Sequence, residues 1–144
     1  MITSVDTNVF IALWDQEPTI SQGAQAALDT AGELGGLVMS APVFAELMAA
    51  PGRTEAFLNR FLEDTGVIVD FDLEEDIWRL AGRSFQAYAG RRRNQGDSAP
   101  RRIPADFLIG AHAAHHRHRL LTSDDSLYRA AFPSLVISRV FQSH

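Results

Sequence analysis

Four carboxylates in this chain occupy positions where an unpaired charge is costly to hold. Asp6 and Asp124 each come at the end of a short apolar run, and Glu46 and Asp106 interrupt apolar segments. Two carboxylates about 4 Å apart repel each other by about 4 kcal/mol at an effective dielectric constant of about 20. Because a domain is stable by only about 5–15 kcal/mol, four such groups in one place would need a divalent cation. The residues therefore indicate a carboxylate metal site.

The donor atoms of these side chains restrict the metal and its chemistry. All of them are oxygens, and the chain has no cysteine. This donor set suits Mg²⁺ or Mn²⁺ better than zinc. Such ions activate a water molecule or hold the attacking and leaving oxygens in phosphoryl transfer. The pattern favours hydrolysis of a phosphate ester.

Positive charge is concentrated in one part of an acidic chain. The net charge is −5, all 13 basic residues are arginine, and lysine is absent. Seven of the arginines fall between Arg91 and Arg119, a stretch with only two acids. Such a basic patch can bind the phosphates of a nucleic acid. The candidate RNA-binding residues are Arg91, Arg92, Arg93, Arg101 and Arg102. Together with the metal site, they suggest a nuclease.

Length and composition predict one domain over residues 1–144. At 46% hydrophobic residues, the chain can bury a substantial core without disulfides. No apolar run approaches the roughly 20 residues that span a bilayer, and the N-terminus has no signal-peptide pattern. Without cysteine the chain fits a reducing compartment. We expect a soluble, cytoplasmic protein with no membrane segment.

Strands and helices are predicted to alternate along the chain. The predicted strands cover residues 1–5, 37–40, 66–70, 120–122 and 135–138. The predicted helices cover residues 9–14, 20–34, about 42–50, 54–64, 73–89, 104–116 and 126–131. Residues 90–102 are expected to form a polar, arginine-rich loop. This order predicts an α/β fold in which helices cover both faces of a parallel sheet.

The predicted sheet explains how distant acids could meet. Ligands bind at the carboxyl ends of the strands in parallel sheets, and Asp6 and Asp124 follow two such ends. Glu46 lies about one turn into the helix after the second strand. Asp106 lies in the first turn of the helix that leads into the fourth strand. We expect all four side chains to face one cleft.

Four segments together resemble the acidic motifs of PIN-domain ribonucleases. The motifs are Val5-Asp-Thr-Asn-Val-Phe10, Ala41-Pro-Val-Phe-Ala-Glu-Leu47, Ile103-Pro-Ala-Asp-Phe-Leu-Ile-Gly-Ala-His112 and Leu120-Leu-Thr-Ser-Asp124, followed by Leu127-Tyr128 and Phe132-Pro133. They run in the family's order from residue 1 to about residue 138. The likeness is closest to the VapC-type toxins of bacterial toxin–antitoxin pairs.

The resemblance implies a three-layer α/β/α PIN-like fold and a Mg²⁺- or Mn²⁺-dependent endoribonuclease. By position, Asp6, Glu46, Asp106 and Asp124 match the family's catalytic quartet. Within that quartet, Asp6, Asp106 and Asp124 are the expected metal ligands, while Glu46 ligates metal or helps to deprotonate the attacking water. Asn8 and Thr122 match the supporting polar positions. The family also implies a homodimer, an RNA substrate and a cognate antitoxin that holds the toxin inactive.

Three features depart from the family pattern. Ser123 stands where the toxins more often have arginine, Asp125 directly follows Asp124, and the arginine-rich loop is longer and more basic than usual. The choice of RNA therefore cannot be copied from relatives.

Each candidate also has a simpler structural interpretation. Asp6 is a favourable N-cap, Glu46 could pair with Arg53, and Asp106 is an acid that suits the first turn of a helix. His112, His115, His116 and His118 lack the H-E-x-x-H pattern, and adjacent histidines cannot share a helical face. This pattern favours a surface cluster over a metal site.

Other protein classes fit less well. An aspartate phosphatase or receiver domain also places an acid after the first strand, but those classes use a lysine, which this chain lacks. The motifs of P-loop and dinucleotide-binding folds are missing. The alternative that stays open is a catalytically silent PIN-like module that binds RNA or protein.

Overall fold

A computed structural model describes residues 1–99 and 101–141 of the chain. Their strands are β1 (Thr3–Val5), β2 (Leu37–Ser40), β3 (Ile68–Asp70), β4 (Arg119–Thr122) and β5 (Ile137–Arg139). Their helices are α1 (Thr7–Leu13), α2 (Pro18–Leu34), α3 (Ala41–Ala49), α4 (Glu55–Thr65), α5 (Glu75–Asn94), α6 (Ala105–His116) and α7 (Ser126–Ala131).

The five strands form one parallel sheet in the order β3-β2-β1-β4-β5. Helix α1 packs with α2 and α3, while α5, α6 and α7 pack together. Since the chain moves outward from β1 to β3 and then returns to β4, right-handed crossovers put these two groups on opposite faces. The predicted three-layer α/β/α architecture is confirmed.

The strand order creates a crevice between β1 and β4. The connections leave these neighbouring strands in opposite directions, and ligands of open α/β sheets bind at such a reversal point. Thr3 pairs with Arg119 and Val5 with Leu121, so the carboxyl ends of both strands reach the same level. Their following residues are thereby brought together.

Helix α6 is buried along most of its length because it lies between the sheet and its neighbouring helices. Phe107, Ile109, Ala111 and Ala113 are fully buried. Gly110 lets the helix approach the ring of Phe132, because a Cβ at this position would lie 2.4 Å from Cε2 of the ring. This packing holds the first turn of α6 in place against the sheet.

The predicted loop over residues 90–102 is wrong in its first part. Helix α5 continues to Asn94, so Arg91, Arg92 and Arg93 lie in its last turn. Basic side chains are favourable there because they offset the negative end of the helix dipole. The chain turns at Gly96, where φ is 81°. Among the described residues, no helix is both long and apolar enough to cross a membrane.

Candidate active site

Asp6 is a buried carboxylate at the end of β1. Its side chain is held from two directions, since Oδ1 caps α1 by accepting from Thr7 N at 2.8 Å. Oδ2 accepts from Thr122 Oγ1 at 2.9 Å and from the Tyr128 hydroxyl at 3.0 Å. The predicted capping role is therefore real, and the other carboxylate oxygen is held by two hydroxyl groups.

Thr122 and Asn8 connect the ends of β4 and β1. Thr122 Oγ1 is buried and lies 3.2 Å from Asn8 Nδ2. Asn8 Oδ1 accepts from the backbone N–H of Ser123 at 3.0 Å, and the backbone N–H of Asp124 lies 3.2 Å from Thr122 Oγ1. These contacts fix the chain that carries Asp124 relative to Asp6.

Asp106 enters the crevice from the first turn of α6. Its Oδ1 lies 3.5 Å from the hydroxyl of Tyr128, which also binds Asp6. Tyr128 stands on the short helix α7 and is almost fully buried. One phenol therefore links the two most enclosed carboxylates of the group.

Glu46 and Asp124 lie at the rim and are more exposed. Glu46 Oε1 accepts from the Thr7 hydroxyl at 2.6 Å. The alternative pairing of Glu46 with Arg53 is not observed, because Arg53 donates to the Trp14 carbonyl at 2.8 Å and lies over the Trp14 ring. Asp124 Oδ1 accepts from Ser126 N at 3.2 Å. Both carboxylates are therefore accessible to solvent at the cleft.

The four carboxylates line one cleft of about 370 Å³. Its walls are formed by Asp6, Thr7, Asn8, Ile11, Glu46, Asp106, Asp124, Leu127 and Tyr128. This described lining contains acids, uncharged polar groups and apolar side chains, and none of these is a cation. Mutual repulsion of the carboxylates is thus not offset by a protein side chain in the wall.

The local environment makes the negative charge of Asp6 and Asp106 costly. Burial raises the pKa of Asp6 from 3.8 to about 6, against the hydrogen bonds from Thr122 and Tyr128, and the charge of Asp106 adds to the rise. Burial and the charge of Glu46 raise the pKa of Asp106. Burial and the charges of Asp6 and Asp106 also raise the pKa of Tyr128, so its hydroxyl stays protonated and can donate.

A divalent cation fits this environment. A cation would reverse the repulsion that the buried acids experience, and the all-oxygen donor set matches the preference of Mg²⁺ and Mn²⁺. Asp125 is not part of this lining. It forms ion pairs with Arg129 and, at 3.6 Å, with Arg139, which keep its charge neutralised beside the cleft.

The predicted arginines divide into two groups. Arg91 donates to the carbonyl of Ala130 at 2.9 Å and Arg92 to the carbonyl of Ser98, so both hold the end of α5 in place. The other three predicted RNA-binding residues, Arg93, Arg101 and Arg102, are exposed. Arg101 and Arg102 lie on the segment that leads directly into the first turn of α6, five and four residues before Asp106.

Two residues of the cleft were not assigned a role from the sequence. Thr7 binds the rim acid Glu46, and Tyr128 binds Asp6 and Asp106. The only signal was the Leu127-Tyr128 pair within the last motif, three to four residues after Asp124. That spacing places Tyr128 on the inner face of α7. Its hydrogen-bond partners, Asp6 and Asp106, are more than 20 residues away in the sequence, so the local pattern does not reveal them.

Comparison with known proteins identifies a family and a fold. A family model for the PIN domain matches residues 4–133. No curated protein matches the chain in sequence.

Several solved structures are similar over almost the whole chain. VapBC-1 from nontypeable Haemophilus influenzae has a TM-score of 0.68 at 23% identity, covering 97% of this chain and 98% of that chain. A toxin–antitoxin complex from Klebsiella pneumoniae has a TM-score of 0.66 at 20% identity, covering 98% and 99%. VapBC2 from Rickettsia felis, bound to a DNA fragment from its promoter, has a TM-score of 0.65 at 19% identity, covering 96% and 98%. At these identities the likeness establishes the fold.

Proposed function

The chain belongs to the PIN-domain family, and on this premise we propose that it is a metal-dependent endoribonuclease, the toxin of a bacterial toxin–antitoxin pair. The observation that carries the proposal is the meeting of Asp6, Glu46, Asp106 and Asp124 in one cleft whose described walls contain no cation. Without a metal, repulsion among the four carboxylates reduces the stability of the fold. With a bound divalent cation, the same cleft can catalyse phosphodiester hydrolysis.

The side chains of the cleft have different proposed roles, in metal binding and in positioning. Asp6, Asp106 and Asp124 would hold Mg²⁺ or Mn²⁺, which when bound would supply positive charge to the phosphate and lower the pKa of a water molecule. Asn8 and Thr122 fix the spacing of Asp6 and Asp124 through their hydrogen bonds. Tyr128 donates to Asp6 and keeps its carboxylate oriented.

Glu46 is the group that accepts the proton of the attacking water. Its carboxylate stands at the open rim, and Thr7 fixes its position through a short hydrogen bond to Oε1. An acid placed within reach of a nucleophilic water can act as a general base. In-line attack then leaves a 5′-phosphate and a 3′-hydroxyl.

Arginines beside the cleft contact the RNA backbone. Arg101 and Arg102 are exposed and precede α6, whose first turn carries Asp106, while Arg93 is exposed at the end of α5. Guanidinium groups form bidentate hydrogen bonds with phosphates, and such contacts do not by themselves distinguish one base sequence from another. These residues supply affinity and orientation to the substrate.

The proposed partners are an antitoxin and a second copy of the chain. The similar complexes from Haemophilus influenzae and Klebsiella pneumoniae support an antitoxin partner, and we place its inhibitory contact at the acidic cleft. Strand β3 is an edge of the sheet, and the exposed apolar side chains Ile68, Phe71 and Trp78 lie on β3, after it and on α5. These side chains are the proposed homodimer contacts. Large exposed apolar surfaces commonly mark protein interfaces.

The experiment is cleavage of a cellular RNA pool by purified protein that is free of antitoxin. Wild type with Mg²⁺ or Mn²⁺ is expected to release discrete fragments, which EDTA and the variants Asp6→Asn and Asp106→Asn abolish. Asp64→Asn is the matched control, because Asp64 is an exposed acid on α4. Single-stranded DNA of matching length tests the preference for RNA.

The alternative of a catalytically silent module predicts a different result. Wild type and both cleft variants would bind RNA equally and cut none of it, with either metal present. Cleavage that persists in Asp6→Asn and Asp106→Asn would point instead to a contaminating nuclease and would contradict the assignment of the cleft.

A further inference from the structure

A second cluster of metal-binding side chains lies on α6, beyond the acidic cleft. His112 and His116 are one helical turn apart and therefore share one face of α6. Asp70, the last residue of β3, faces them from the sheet. Its Oδ2 lies 2.8 Å from His112 Nε2 and 3.7 Å from His116 Nε2. Three potential ligands thus come from two different elements.

The burial of His112 contradicts the expected surface location of the histidines. His112 is fully buried, whereas His115, His116 and His118 are half-buried, and the rings of His116 and His118 stack with their centroids 5.3 Å apart. The surface interpretation was wrong for His112 because α6 packs against α5 and β4, and this histidine meets Asp70 of β3. Fully buried polar side chains are uncommon, and nearly all of them have a hydrogen-bond partner.

Several imidazole nitrogens in the cluster lack a hydrogen bond. Within residues 1–99 and 101–141, His116 Nε2, His112 Nδ1 and His118 Nδ1 are buried and have no hydrogen-bond partner. The 3.7 Å contact of His116 Nε2 with Asp70 is too long for a hydrogen bond. Leaving a buried polar atom unpaired costs about 1–3 kcal/mol. The nitrogen of His116 that faces Asp70 therefore points to a missing ligand.

The distances suit a transition-metal ion. The ligand atoms of Asp70, His112 and His116 all lie within 4.8 Å of one another. Tetrahedral zinc with bonds of about 2.0–2.1 Å holds its donors about 3.3–3.4 Å apart. The observed separations of 2.8 and 3.7 Å fall on either side of this value, so small side-chain rotations suffice.

We propose that Asp70, His112 and His116 form a second metal site that takes Zn²⁺ or a similar ion. Two imidazoles and one carboxylate are a zinc-type donor set, with water in the fourth position. The all-oxygen cleft favours Mg²⁺ or Mn²⁺, so the two sites select different metals. The ion joins the edge strand β3 to α6, the helix whose first turn carries Asp106.

A neighbouring set of residues competes for His116. Glu74, His115 and His116 also lie close enough to share an ion. The side chains of Glu74 and His115 are 55% and 28% exposed, whereas those of Asp70 and His112 are 28% and 0% exposed. Solvent competes with exposed ligands, and the Asp70–His112 pair is both less exposed and closer, at 2.8 Å against 3.2 Å for Glu74 and His115. We therefore assign the site to Asp70 rather than Glu74.

The experiment measures zinc directly and needs no enzymatic activity. Tag-free protein is loaded with Zn²⁺, desalted and analysed for metal by mass spectrometry. Wild type is expected to keep one zinc per chain, and so is the double variant Asp6→Asn/Asp106→Asn, whose cleft is disabled. His116→Gln and Asp70→Asn, both at partly exposed positions, are expected to lose it. His115→Gln is the matched control and should retain zinc.

Two further readouts address folding and ligand type. Zinc should raise the melting temperature of wild type and of the cleft double variant, but not that of His116→Gln. Cobalt bound in place of zinc should give the intense visible absorption of a four-coordinate site with nitrogen ligands, and this wild-type signal requires no variant.

Several outcomes would overturn the proposal. Zinc that disappears with Asp6 and Asp106 would belong to the acidic cleft. Zinc that is absent from His115→Gln but kept in Asp70→Asn would belong to the Glu74 set. Wild-type protein that keeps no zinc and gives no cobalt absorption would show His112 and Asp70 to be a simple hydrogen-bonded pair. Failure of the nuclease proposal would not affect any of these readouts.

Discussion

The hydroxyl of Tyr128 donates a hydrogen bond to Asp6 Oδ2 at 3.0 Å, across a separation of 122 residues. Both side chains are buried, and the same hydroxyl lies 3.5 Å from Asp106 Oδ1. A donor in this position orients the carboxylates and favours their charged form. The cleft therefore depends on a residue that belongs to none of the acidic positions.

Tyr128→Phe tests this dependence. Loss of the hydroxyl should lower kcat/KM for RNA cleavage about 10–100-fold, because groups that orient metal ligands typically matter by that factor. Phenylalanine fills the same volume, so the fold should persist. Tyr88→Phe is the control, since Tyr88 packs on Phe107 outside the cleft. Unchanged kinetics of Tyr128→Phe would mean that Thr122 alone orients Asp6.

Thr122→Val should impair cleavage for a related reason. The valine keeps the shape of threonine but removes the hydroxyl that binds Asp6 Oδ2 and lies near Asn8. Thr122→Ser retains the hydroxyl and should keep most of the activity. Comparing metal titrations of the two variants separates loss of orientation from loss of packing. Equal loss in both would argue for packing.

The raised pKa of Asp6 predicts a pH dependence of stability in EDTA. Its pKa is 3.8 when exposed and about 6 in the folded chain, so the folded state holds the proton more tightly. Protonated Asp6 therefore contributes to the free energy of unfolding in full below pH 3.8, and this contribution is lost as pH rises through about 6. The difference between the two pKa values corresponds to about 3 kcal/mol of unfolding free energy.

Asp6→Asn isolates this effect from other titrating groups. The free energy of unfolding of the variant minus that of wild type should increase between about pH 4 and about pH 7. Urea denaturation in EDTA at several pH values measures it. Excess Mg²⁺ should reduce the difference, since a bound cation stabilises the ionised form. A difference that does not vary with pH would contradict the raised pKa.

Gly110→Ala should destabilise the fold. The added methyl group would lie 2.4 Å from Phe132 Cε2, and the phenylalanine ring is itself buried. Overpacking of this kind costs about 1–3 kcal/mol. Gly82→Ala on α5 is the matched change, because its methyl group would meet no atom within 4 Å. That variant should gain about 0.5–1 kcal/mol in urea denaturation.

Substituting the exposed arginines should weaken RNA binding in a salt-dependent way. In an Asp106→Asn background, which is expected not to cut RNA, Arg93→Gln/Arg101→Gln/Arg102→Gln should lower affinity. The slope of log K against log salt should flatten by about 0.7 for each phosphate of a single strand that the variant no longer neutralises. Arg60→Gln on α4 is the control. An unchanged slope would place the RNA elsewhere.

Local sequence patterns were enough to predict the architecture and the positions of the acids. Apolar runs and helix-start signals depend on neighbouring residues, so the order of strands and helices follows from short windows of sequence. That order predicts a parallel sheet, and Asp6 and Asp124 follow two of its strands. The same reasoning missed the end of α5, because Gly90 continues the helix and the chain turns only at Gly96.

Tertiary structure decided which polar groups share an environment. The chain alone did not show that Tyr128 donates to Asp6, that Thr7 holds Glu46, or that His112 is buried beside Asp70. These partners are 39 to 122 residues apart. Burial, and with it the pKa and hydrogen bonding of a side chain, depends on how whole elements pack across the sheet, and no local pattern of residues contains that information.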